Sequence, residues 1–305
     1  MRHTRRPVIV RTMLCLLSAA TAARAADPPS DQPKPNPIVS EPGPATRGEK
    51  SGYTLFNPTP PSLLRGMNTD RPDVTEGPFT VDAGHFQTEL SFVEYTYDYD
   101  RGVRSDGFSV APMNFRAGLL NNLELDVMFN PYVNSLTRAR GEPAAHLRGF
   151  GDAALRMKFN FWGNDGGDSA FGLLPFVNFP TASDGLSNHH VEGGLILPFA
   201  LKLPADFDLG AMAEFDLNRN AANSGYGLDF VHTVTVGHEL TEKLNAYVEY
   251  VGKAPHQLHR TYVAFFDTGV TYAVTDNVQL DAGVNIGLSR HADDLLFFTG
   301  LSFRI

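Results

Sequence analysis

Apolar and polar residues alternate with a period of two along most of this chain. In Leu123-Glu124-Leu125-Asp126-Val127-Met128-Phe129-Asn130 one face reads Leu, Leu, Val, Phe and the other Glu, Asp, Met, Asn. Phe207 to Leu217 and Val278 to Ile286 repeat the pattern. Such alternation marks strands with two unlike faces. Extending it predicts strands near 85–97, 107–120, 123–133, 149–162, 170–179, 191–203, 207–218, 228–240, 243–251, 262–274, 278–288 and 295–305. The connections alternate between short turns, such as Asn121-Asn122 and Thr241-Glu242, and longer polar stretches near 98–106, 134–148, 180–190, 219–227, 252–261 and 289–294.

A charge at every second or fourth place on one strand face is costly in a dry sandwich and natural in a wet lumen. The pattern therefore predicts an all-β protein, an antiparallel transmembrane β-barrel of about 12 strands, with short turns facing the periplasm and long loops facing outward. Its place would be the cell outer membrane, its partners the lipid bilayer and, during biogenesis, the outer-membrane assembly machinery. If the aliphatic faces look outward, the lumen-lining candidates are Glu89, Arg116, Glu124, Asp126, Arg156, Lys158, Glu214, Asp216 and Asp281, with Glu249 and Asp267 on the same parity. From Phe230 to His238 either parity could face lipid.

The N-terminus adds an export signal. Arg2, Arg5, Arg6 and Arg11 precede the apolar run Met13 to Ala20, and Ala23-Arg24-Ala25 supplies a small-x-small cleavage site, so residues 1–25 read as a signal peptide. Residues 26–66, rich in proline and polar residues, read as a disordered linker. The barrel domain then spans 67–305. The single cysteine, Cys15, falls inside the signal and leaves the mature chain without disulfides or cysteine metal sites. A net charge of -9 argues against a nucleic-acid partner. No phosphate-binding glycine loop is present, so no cofactor is expected.

Ahead of the first strand stands Asn68-Thr69-Asp70-Arg71-Pro72-Asp73-Val74-Thr75-Glu76-Gly77-Pro78, followed by Gly84-His85-Phe86-Gln87. This resembles the opening of the outer-membrane transporter family named for the meta-pathway of phenol degradation, and the resemblance extends from Met67 to Ile305 through Gly237-His238-Glu239-Leu240-Thr241-Glu242-Lys243-Leu244. It implies a channel or transporter, with aromatic compounds as the suggested cargo. The motif residues Thr69, Asp70, Arg71, Pro72, Asp73, Thr75 and Glu76 have a reading of their own. Carboxylates flank Arg71, Pro72 fixes a bend, and Thr69 and Thr75 suit turn caps. Segment 67–84 is expected at the periplasmic mouth, either pinning the start of the barrel or gating the lumen.

The function expected is passive passage of small-molecule solutes across the outer membrane. The alternatives are a closed structural barrel with a filled lumen and, less favoured, an outer-membrane hydrolase. For the last, Ser289 and His291 share a loop, but no nucleophile motif surrounds them. The pairs His189/His190 and His256/His259 lack the carboxylate or cysteine framework of a metal site. Neither catalysis nor metal binding is expected.

Overall fold

The alternating stretches pair with their sequence neighbours, and the last pairs with the first, closing the wall. The structure is a computed structural model that describes residues 50–187, 189–219, 225–255 and 261–305. Residues 1–25, expected as a signal peptide, residues 26–49 of the expected linker and the His256/His259 pair lie outside the described residues.

The strands are β1 (Phe86–Asp100), β2 (Val103–Val110), β3 (Met113–Leu120), β4 (Leu123–Phe129), β5 (Tyr132–Ala139), β6 (Ala145–Gly149), β7 (Ala153–Trp162), β8 (Ser169–Phe179), β9 (Glu192–Leu203), β10 (Phe207–Arg219), β11 (Tyr226–Thr241), β12 (Leu244–Ala254), β13 (Val263–Thr275), β14 (Val278–Gly287) and β15 (Leu295–Arg304). Three pairs of these are single staves with a break: β2 with β3, β4 with β5, and β6 with β7. Two of the breaks fall at Pro112 and Pro131, which have no N–H to give to a ladder. Counted as staves, the closed antiparallel barrel has 12 strands. β15 seals it against β1 from Gln87↔Arg304 to Tyr97↔Leu295.

The alternation predicts loops over 98–106 and 134–148, and here the structure differs. β1 runs on to Asp100 and pairs with β2, β2 with β5, and β5 with β6. These segments form a sheet extension, a wing, on the side of the long loops. It rises beyond lipid, so polar residues interrupt both faces of its strands.

The short turns hold to the expected places. At the turn after β9, Ala205 and Asp206 have φ of 62° and 58°, a left-handed pair that closes a tight hairpin. No helix among the described residues is long and apolar enough to cross a membrane.

Side chains divide as a membrane barrel requires. Val127, Phe129, Leu155, Val177, Val234, Val270, Tyr272 and Leu280 are exposed on the outside, a contiguous apolar surface unsuited to water. Gln87, Glu89, Arg116, Glu124, Asp126, Lys158, Glu249, Asp267 and Asp281 are buried on the inside. On β11, the ambiguous strand, Asp229, Val231, Thr233 and Thr235 are buried, and Phe230 and Val234 are exposed. The second parity therefore faces inward.

This division predicts a depth-dependent penalty. Val270, 40 % exposed and five residues from the Thr275 end of β13, sits within the lipid belt. Val270→Arg should lower the unfolding free energy in lipid vesicles by about 2–4 kcal/mol. Leu136→Arg, on the wing, should change it by under about 1 kcal/mol; equal penalties in a urea titration would refute the placement of the belt.

Candidate functional site

The chain before β1 has no period and makes no ladder, yet it carries charges that need partners. It finds them inside the barrel. Segment 67–84 was expected at the periplasmic mouth, and the structure carries it further in. Thr75 meets Glu249, five residues beyond the Leu244 start of β12, and Thr233, eight residues short of the Thr241 end of β11.

Each motif residue is tied to a different stave. Asp70 receives Lys158 at 2.6 Å and lies 3.2 Å from Arg116. Its backbone N–H and that of Arg71 donate to Glu89. Arg71 forms a two-point pair with Asp281, Nη2 to Oδ1 at 2.6 Å and Nε to Oδ2 at 3.2 Å, and donates to Ser91. The Arg71–Pro72 peptide is cis. The backbone N–H groups of Val74 and Thr75 and the Thr75 hydroxyl all donate to Glu249. Glu76 pairs with Arg156, and its N–H meets the Met212 sulfur. Thr69 donates to the carbonyl of Arg71 two residues on, which is a turn contact. Thr75 caps no turn and instead joins the segment to the wall.

At the centre of this web is Arg116, with no exposed surface. It reaches Glu89 at 2.7 Å, Glu124 at 2.8 Å and the carbonyl of Phe79 at 3.0 Å. Close approach of the segment to the wall relies on missing side chains. A Cβ on Gly118 would strike the carbonyls of Val81 and Asp82, and one on Gly300 would strike the Arg71 guanidinium.

Of the lumen candidates, Glu89, Arg116, Glu124, Arg156, Lys158 and Asp281 bind the segment or one another. Asp216 pairs instead with Lys253, away from the motif. Asp126 is buried with neither carboxylate oxygen hydrogen-bonded, and Glu214 is partly buried. Asp70, Glu124 and Asp126 approach one another closely enough to suggest a metal, but Lys158 and Arg116 already supply the positive charge there.

Sequence reasoning missed two features. Residues 50–66, taken as linker, are ordered against the turn end. Buried Lys50 and Arg65 pair with Asp82 and Asp165, and Leu55 N–H donates to the Leu119 carbonyl. Lone charges in a proline-rich stretch gave no sign of burial. The second is an apolar cluster on the inner wall, Leu174, Ile196, Met212, Val231 and Val251, with Phe176 and Phe265 against it. β9 is apolar on both faces, so its pattern could not show which side was inward.

The candidate hydrolase residues are not assembled. The Ser289 hydroxyl accepts from the Ala264 N–H, and no contact joins it to His291 among the described residues.

A closed 12-strand antiparallel barrel with an apolar outer belt and a polypeptide segment lodged in its lumen defines an outer-membrane β-barrel protein. The chain belongs to the family of the MetA-pathway of phenol degradation, whose model matches residues 69–305. Among solved structures, the COG4313 outer membrane channel from Pseudomonas putida F1 is similar with a TM-score of 0.57 at 10 % identity, over 78 % of this chain and 100 % of that one. That likeness shows the fold. The NanC porin gives a TM-score of 0.46 at 9 % identity over 72 % of this chain and 100 % of that one. The CymD monoaromatic hydrocarbon channel gives 0.42 at 9 % identity over 72 % and 87 %. No curated protein sequence matches the chain.

Arg71→Ala strips the partner from Asp281, whose side chain is fully buried, a loss of about 3–5 kcal/mol of docking energy. The barrel should still fold, shown by heat-modified gel mobility, and planar-bilayer conductance should rise; failure to assemble would make the segment a folding pin.

Asp70 responds to acid. Burial pushes its pKa up, but Arg116 and Lys158 outweigh burial and hold it at about 2, below its ordinary 3.8. A depressed carboxylate stabilises docking above its undocked pKa and loses that stabilisation as pH falls through the docked one. The conductance difference between wild type and Asp70→Asn should be full above about pH 4 and shrink toward pH 2. A difference constant across that window would contradict the pairing.

Proposed function

We propose that this protein is a passive outer-membrane channel for small, largely apolar solutes, aromatic compounds among them, and that the motif segment is its movable plug. The observation that carries the reading is the juxtaposition of the plug's tip with the apolar cluster. The Glu76 N–H touches Met212, and Leu174, Ile196, Val231 and Val251 cluster with it. A lumen built only for ions or sugars has no use for an aliphatic surface, whereas an apolar solute gains about 25 cal/mol for each Å² it buries there. The family's association with phenol degradation supports the same cargo class. No chemical step is needed, and none is proposed.

The plug can be locked without altering the ion pairs that seat it, at the loss of the Thr75 hydroxyl's bond to Glu249. The hydroxyls of Thr75 and Thr233 are 2.6 Å apart, within reach of a disulfide after Thr75→Cys and Thr233→Cys. In intact cells the oxidised double variant should lose uptake of radiolabelled aromatic solutes, and a reductant should restore it. Val231→Asp should reduce that uptake severalfold while ion conductance persists. Equally low uptake in locked, unlocked and wild-type protein would favour a closed structural barrel.

A further inference from the structure

The wing sorts its charges by face. Cross-strand register follows Tyr99↔Arg104 and then Arg104↔Arg138, and one step nearer the membrane Tyr97↔Asp106, Asp106↔Leu136 and Leu136↔His146. Below these come Tyr95↔Phe108, Phe108↔Asn134 and Asn134↔Arg148. Tyr95 pairs with Phe297, which is 54 % exposed on the lipid side of β15, so this whole set looks outward. All three arginines of β2, β5 and β6 are on that face. Of the acids in the wing, Asp98 and Asp100 fall on the opposite parity, which leaves Asp106 alone among the arginines.

The arrangement is electrostatically incomplete. Arg104 and Arg138 are directly opposite one another, and like charges so placed repel. One carboxylate serves both: Asp106 accepts from Arg104 at 2.7 Å and from Arg138 at 3.0 Å. Arg148 is exposed and has no side-chain partner among the described residues. Three guanidinium groups thus stand with one acid, which two of them share, on a surface that continues the lipid-facing wall, just beyond the level of exposed Tyr132 and Phe179.

We propose that this face binds the phosphate groups of the outer leaflet's glycolipid. The headgroups of lipopolysaccharide lie at the height to which the wing rises, and they present the anionic phosphates that the arginine face lacks. Guanidinium matches phosphate with two parallel hydrogen bonds, and long arginine side chains reach along a wall toward a headgroup plane. Tyr95, Tyr97 and Phe108 beside them supply the aromatic surface on which sugar rings and acyl roots rest. The site is separate from the lumen and from the plug.

The test titrates the full chain in detergent micelles with bisphosphorylated lipid A. R104S/R138S/R148S should bind on the order of a hundredfold more weakly, each basic residue near a charged membrane surface contributing comparably. The charge-matched R101S/R140S/R290S, on the loop tips, should bind as wild type does. Heat-modified gel mobility establishes that the triple variant is folded. Should it not fold, R148S alone, which breaks no internal contact, should bind about fivefold more weakly. Dephosphorylated lipid A should bind wild type and triple variant alike. Equal lipid A affinity for wild type and the arginine variants would overturn the proposal, as would tight binding of dephosphorylated lipid A to wild type. Competition by soluble pyrophosphate at the same concentration as lipid A would show a free-anion site and overturn it too.

Discussion

A guanidinium with no exposed surface holds the inside of this barrel together. Arg116 comes from β3, and the acids around it come from β1 (Glu89), β4 (Glu124) and the plug (Asp70). Charges withdrawn from water this far are tolerated only when several partners meet them in good geometry. Wall and plug therefore complete one another. Without Asp70 and the Phe79 carbonyl, Arg116 would be under-satisfied, and so would Lys158, which also relies on Asp70. The barrel's ionic wall was built for a polypeptide guest, which is why the guest's position is specific.

What the sequence disclosed follows from the same physics. A strand between lipid and a polar interior must alternate, and that alternation revealed the 12 staves and their turns. It fades wherever the two sides stop differing. Above the membrane both faces of β2, β5 and β6 carry polar residues, so 98–106 and 134–148 read as loops. On β9, Leu195, Ile196, Leu197 and Phe199 are apolar on both parities, because the outer face meets lipid and the inner one joins the apolar cluster. The plug was recognisable as a motif, but its location was not. Its partners, such as Asp281 for Arg71, are remote in the chain, and no local pattern encodes a contact of that range.

The lumen wall has two unlike sectors. From β14 through β1, β3, β4 and β7 it presents charged partners to the plug, Asp281, Glu89, Arg116, Arg156 and Lys158 among them; from β8 to β12 it carries the aliphatic cluster, interspersed with buried Asp216, Asp229, Thr233, Thr235, Asn245 and Glu249. The plug's own chemistry is divided to match. Asp70 and Arg71 engage the ionic sector, and Phe79 packs on Ala170 and Ala200 in the other. An ion pair is directional and fixes register, whereas apolar packing is tolerant of sliding. If the segment moves as proposed, asymmetry of this kind sets which side of it stays anchored.

The acids also outnumber the bases inside. Asp73, Glu249 and Asp267 have no lysine or arginine partner among the described residues, and burial together with Glu249 pushes the Asp73 carboxyl well above its usual range. Glu249 is instead satisfied by three donors from the plug, two backbone N–H groups and a hydroxyl. If the plug leaves, those donors leave together, and a buried carboxylate without donors is tolerable only when water or a cation replaces them. Movement of the plug and wetting of the β12 side are therefore one event. The aliphatic cluster lies beside it, so a lumen opened in this way would offer an apolar solute a surface and the displaced charges a hydrated path.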